Sequence, residues 1–281
     1  MTRVAVATTS QLAADGANEV AELGGNAVDC ALAAALTTMN TEPGVCALAG
    51  SAFVTIWQPD SDPVTIDGNV AVPGFGVPEA DRGHGADTVT LDYGGGITTL
   101  VGSGSVAVPG SLAAIERAWQ LFGSARWSDL FVPAIRATRE GFPLSRACHY
   151  YLGFSGKPIF DRSQDGFDAL HDADGQLCKQ GDLVVVPHLA DSLSAIADEG
   201  AQVFYRGELA RRISEHVRNA GGGLTLEDLE RFEAVERPSL TVDIGDWSFA
   251  STPPPAIGGS VLAAMLLACR DLPHKTWTRD A

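Results

Sequence analysis

Asp67, in the stretch TIDGNV at 65–70, is the side chain whose type and position best suit moving a proton. It ends an apolar run and directly precedes a glycine. An acid so placed can act as a general base, or can fold a turn by accepting an N–H two residues on; the turn is the simpler reading. The six histidines, at 84, 149, 171, 188, 216 and 274, are scattered. None forms HExxH or a Cys/His ligand spacing, so the pattern predicts no metal site. His149, His188 and His216 fall on predicted helices, where packing or surface roles are commoner. Ser103 lies in a GSG triplet whose flanks are not strand then helix, so it is no nucleophile elbow. The glycines at 94–96 lack the spacing of a phosphate loop, and no cofactor is implied.

The five cysteines are odd in number, and no two form a CxxC. Cys30, Cys46 and Cys269 sit in apolar runs, where a thiol behaves as a small hydrophobe. That usage fits a reducing compartment, and the start of the chain has no signal-peptide pattern, so a cytoplasmic location is expected. No apolar run approaches the ~20 residues of a membrane span. The net charge of -16 opposes nucleic acid and anionic membrane as partners.

These side chains need a scaffold, and residues 24–57 organise it. Asn26 follows a glycine pair and can cap the helix predicted over 27–39, which is apolar on nearly every side and therefore buried. Residues 51–57 and 64–72 read as strands of a hairpin. Residues 3–9 alternate and read as a short strand, with a helix over 11–23. Residues 73–96 read as a long loop, of the kind that is functional or mobile. Helices are predicted over 111–122, 128–140, 188–199, 207–220 and 261–269. Thr225 and Asp228 have capping-box spacing, and 240–250 forms a hairpin about Gly245 and Asp246. Helices and strand pairs alternate without a repeat or linker, which predicts one layered α/β unit.

Several segments, in order, resemble the γ-glutamyltransferase (γ-glutamyltranspeptidase) family. GGNAVDCALAAAL (24–36) is similar to its GGNAVDAA helix, and SVAVPGSLAAIERAWQLFG (105–123) to its VAVPG segment. WSDLFVPAIRATREGFPLS (127–145), DSLSAIADEGAQVFYRGELARRI (191–213) and AGGGLTLEDLERFEAVERPSL (220–240) continue in that order. STPPPAIGGSVLAAML (251–266) is similar to the family's PPPSSGG helix start. The match runs over about residues 5–268 in one register. It implies an αββα four-layer sandwich of the N-terminal-nucleophile (Ntn) hydrolase type, with this α/β chain as the large-subunit portion only. In that family a precursor cuts itself before a threonine, whose hydroxyl attacks and whose own α-amine is the base. The acyl group then passes to water or to an amine.

Two departures shape the expectations. Thr276 and Thr278 lack the strand pattern that follows the family's nucleophile, so no catalytic residue is assigned in this chain. Residues 1–281 then form a single large-subunit domain, C-terminally incomplete and inactive alone. Its expected partners are a small-subunit polypeptide carrying the threonine, and a small-molecule amide or γ-glutamyl substrate. Without that polypeptide, apolar faces and strand edges would be exposed. The second departure is in the family's D-x-R-E-x-A-P strand motif, whose arginine binds the substrate α-carboxylate. It corresponds here to DGNVAVP (67–73), with Asn69 at the arginine position. An amide donates only neutral hydrogen bonds, weakening carboxylate binding by about 1.5–3 kcal/mol. The glycine-rich segment is also altered, to GVCALAG (44–50). Asn69 and Asp67 are the expected substrate-binding residues. The alternatives are an acylase with a non-glutamyl donor and a non-catalytic scaffold of the same fold.

Overall fold

Why helices begin where they do is decided largely by their caps. The computed structural model describes residues 3–82, 84–270 and 272. Thr276, Thr278 and His274 lie outside the described residues. Ser10 caps α1 (Gln11–Glu22), and Asn26 caps α2 (Ala27–Thr41) in a reciprocal box with Asp29. The antiparallel hairpin of β1 (Ala52–Ile56) and β2 (Val64–Gly68) follows. A second hairpin pairs β3 (Asp87–Leu91) with β4 (Ile97–Val101). Next come α3 (Ser111–Phe122) and α4 (Val132–Glu140), which has its proline in the first turn, where no N–H is needed. The short β5 (Phe142–Pro143) pairs with β6 (Leu183–Val184) around α5 (Arg146–Ile159) and α6 (Gln164–Leu170). Then follow α7 (Leu189–Glu199), α8 (Gln202–Tyr205), α9 (Glu208–Asn219) and α10 (Leu226–Glu230). The chain ends in β7 (Val235–Pro238), the β8 (Leu240–Ile244) and β9 (Trp247–Ser251) hairpin, and α11 (Ile257–Cys269).

Among the described residues, β1, β2 and β7 form a three-stranded antiparallel sheet with β2 at its centre. The main core joins this sheet to α2, α3 and the α7–α9 region through Leu32, Leu36, Ile66, Ile115, Leu130 and Phe131. Asp29 is fully buried, and its carboxylate accepts N–H bonds from Asn26, Ser124 and Ala125 and the Ser124 hydroxyl. It thereby locks the start of α2 to the chain leaving α3. Tyr205 donates to the Pro109 carbonyl and accepts the Ala113 N–H, fixing the entry to α3. Burial pushes its phenol up and keeps it neutral.

Three expectations are corrected. Residues 3–8 form no strand; they run alongside α2 with Val4 against Ala13, Ala17 and Cys30. Alternation creates a strand only where a neighbour supplies hydrogen bonds, and no ladder partner lies beside them among the described residues. The second strand of the first hairpin stops at Gly68, with only an isolated bridge from Ala71 to Val108 beyond it. The long glycine-rich loop contains part of the β3–β4 hairpin, and Gly94–Gly96 is its turn, each at positive φ.

Candidate active site

The end of β2 is seated by two glycines. A Cβ on Gly68 would lie 2.4 Å from the Gly110 carbonyl oxygen, and one on Gly110 would lie 2.3 Å from that of Gly68. Only bare backbone permits this approach of strand end and helix start. The Gly50 carbonyl accepts the N–H groups of Gly110 and Ser111, at 2.9 and 3.0 Å, so the segment before β1 is tied to the same point.

This seating sets the geometry on either side of Gly68. Asp67 is 6% exposed, and its Oδ2 accepts from Arg237 Nε at 2.6 Å. Register explains the pair: Thr65 faces Arg237 and Asp67 faces Val235 across β2 and β7, so Asp67 and Arg237 are diagonal neighbours on one sheet face. Asp67 Oδ1 accepts the Asn69 N–H at 2.9 Å, which is the turn-forming role open from the sequence. Both carboxylate oxygens are thus engaged. Asn69 is exposed; its Oδ1 accepts from Ser51 Oγ and the Val70 N–H, both at 3.0 Å. Among the described residues its Nδ2 has no partner.

The opposite wall comes from α10 and the loop it holds. Asp228 accepts the N–H groups of Gly74 and Phe75 at 2.8 and 2.9 Å, together with the Thr225 N–H and hydroxyl. Burial pushes its carboxyl up, but these donors outweigh that and hold it below the usual carboxylate range. The held loop presents Phe75, and the Arg231 guanidinium lies 3.9 Å from its ring centroid. Asp67, Asn69, Phe75, Arg231 and Arg237 line one open cavity of about 420 Å³.

The structure therefore brings the two sequence-predicted residues, Asp67 and Asn69, together at one cavity. Arg237 and Arg231, unassigned in the sequence reading, join them there. Among the described residues that line it, none is Ser, Thr, Cys or His. The arrangement can hold a polar or charged ligand, and the described residues that line it bring no attacking group. Burial pushes the Cys46 thiol up to about 11, with help from Glu42, and raises Cys30, Cys148 and Cys178 as well. These thiols are poor nucleophiles near neutral pH. His149 and His171 bond to the carbonyls of Cys178 and Phe167, away from this cavity. No three His, Cys, Asp or Glu side chains gather as metal ligands among the described residues.

The gamma-glutamyltranspeptidase family profile matches residues 13–280. The chain belongs to this family. Among curated relatives, the glutathione hydrolase proenzyme of Bacillus subtilis (strain 168) is 28% identical over 263 residues, which cover 93% of this chain and 43% of that protein. This family member thus spans less than half the length of the curated relatives it matches. A gamma-glutamyltranspeptidase from Pseudomonas nitroreducens, solved complexed with L-DON, superposes with a TM-score of 0.76 at 30% identity, covering 92% of this chain and 73% of that one. The Helicobacter pylori gamma-glutamyltranspeptidase superposes with a TM-score of 0.85 over 100% of this chain and 79% of that one. At 24% identity it shows the fold alone. The fold is that of the large-subunit region of an Ntn-type αββα hydrolase.

Proposed function

We propose that this chain is the substrate-holding side of a γ-glutamyltransferase-like amidohydrolase or acyltransferase, with glutathione hydrolase-type chemistry. Asp67 and Asn69 belong to its acyl-donor site, and a small-subunit polypeptide carries the threonine. The observation that carries this reading is a cavity with charged binding groups whose described lining holds no nucleophile. The uncovered apolar surface of α11 supports it: Ile257 is 77% and Met265 60% exposed, and Trp247 on the neighbouring β9 is 80% exposed. A patch of that kind marks an interaction surface.

In the proposed reaction the threonine Oγ attacks the amide carbon, and the threonine's own α-amine takes the hydroxyl proton. The C–N bond breaks, and the leaving amine takes that proton. Water or an acceptor amine then cleaves the acyl–threonine ester. Asn69 favours a second reading, an acylase whose donor carries no α-carboxylate.

The test is to express this chain with the threonine-bearing segment of its own gene or of a neighbouring one. Release of p-nitroaniline from γ-glutamyl-p-nitroanilide is followed, with intact mass reporting an acyl-threonine adduct. Turnover by the pair and none by this chain alone is expected. Turnover by the isolated chain, or none by a correctly cleaved pair with either γ-glutamyl or simple acyl anilides, overturns the reading.

A further inference from the structure

We infer that Arg237 is the carboxylate-recognising residue of the cavity, and that the ligand therefore carries a free carboxylate. This rests on reading the cavity as the acyl-donor site. The argument begins with what Asn69 has left to offer. Its Oδ1 is taken by Ser51 Oγ and the Val70 N–H, so it can present only a neutral amide donor. Asp67 is turned into the sheet, with one oxygen on Arg237 and the other on the Asn69 N–H.

Arg237 is different. Its Nε donates to Asp67 Oδ2 at 2.6 Å, which restrains the guanidinium beside the end of β2. Its side chain is 34% exposed and lines the cavity. Among the described residues, neither Nη1 nor Nη2 has a hydrogen-bond partner. Those two nitrogens form one edge of the planar fork, and that edge matches the two oxygens of a carboxylate. A guanidinium held at its Nε and open along the Nη1–Nη2 edge is already partly ordered, so less side-chain entropy is lost when it grips a ligand. Arg231, the other cation on the wall, is engaged by the Phe75 ring face and by Glu227 at 3.4 Å. The buried carboxylate of Asp67 thus acts as a positioning group, and Arg237 as the contact that selects the ligand.

The experiment uses the assembled protein, this chain with its threonine-bearing segment, as wild type and as R237K and R237Q. R237K keeps a cation beside Asp67, so it tests the fork even if R237Q fails to fold; thermal melting reports folding of each. Two probes are titrated by calorimetry: L-glutamate, and 4-amino-1-butanol, which carries no carboxylate. L-glutamate should bind wild type more tightly than 4-amino-1-butanol does, and R237K should weaken L-glutamate by about ten- to a hundredfold. Affinity for 4-amino-1-butanol should stay within about twofold, since it has no carboxylate for the fork to grip. Equal affinity of wild type for the two probes, an unchanged L-glutamate affinity in folded R237K, or an equal loss for both probes overturns the inference. Turnover of the γ-glutamyl anilide by wild type, with L-glutamate affinity unchanged in R237K, removes this inference and leaves the proposed function. Arginine-dependent L-glutamate binding without turnover does the reverse.

Discussion

α2 and α11 are both strongly apolar, and the molecule treats them differently. α2 is enclosed by α1, α3 and α4, with Leu32, Leu36 and Ala33 buried and Asp29 anchored to the segment after α3. α11 rests mainly on the β8–β9 hairpin and leaves Ile257, Val261, Leu262 and Met265 exposed. Hydropathy alone would bury α11 more deeply than α2, the reverse of what is found. The difference teaches that an apolar sequence demands burial without saying what does the burying. On the proposed function, the cover for α11 comes from the polypeptide that brings the threonine.

The sharpest way to break this comparison is D29A. It strips the acceptor from the N–H groups of Asn26, Ser124 and Ala125 and from the Ser124 hydroxyl. A loss of about 4 kcal/mol is expected, read from urea unfolding, because buried donors are left unpaired. If D29A costs no more than an exposed substitution on α11, the two helices are not differently held. Next is G68A, whose added methyl meets the Gly110 carbonyl and Ala114. About 3 kcal/mol of destabilisation is expected, with weaker ligand binding at the displaced Asp67–Asn69 segment.

D228N should cost about 2 kcal/mol, since an amide cannot accept from every donor that now meets the carboxylate. Its pH dependence has a definite sign. The folded carboxyl lies below its ordinary value near 3.8, so its contribution is complete above that value and is lost as pH falls through the lower, folded value. The gap in melting temperature between wild type and D228N should be constant above about pH 5 and shrink below about pH 4. A gap that widens in acid would reverse the assignment. The smallest effect is expected for M265K. Stability should change by less than about 0.5 kcal/mol, while self-association measured by sedimentation falls. A large loss of stability there would mean that α11 is already covered.

Legibility in the sequence followed the range of the interactions. The Asn26 cap and the Thr225–Asp228 box were readable because each is closed by residues three apart. The β1–β2 hairpin was readable from β-branched runs either side of a turn. β3 and β4 were partly hidden because Gly94–Gly96 reads as loop, although Thr88, Val89 and Thr90 pair with Leu100, Thr99 and Thr98. The start of α11 was placed late for a related reason. Gly258 and Gly259 look like linker, yet both are helical, and Gly259 is needed where a Cβ would meet the Thr252 carbonyl at 2.1 Å. At the site, Asp67 and Asn69 were readable from a short motif. Arg237 was not, because it meets Asp67 across 170 positions and only the β2–β7 register brings them together.

The contact of Gly68 with Gly110 has a consequence for how this protein can change. Main chain abuts main chain there, so the foundation beneath Asp67 and Asn69 cannot be deepened or raised by exchanging residues at either glycine. Any shift in ligand preference has to be carved into the sides, at positions such as 69, 75, 231 and 237, where side chains can be swapped while the strand and helix stay in place.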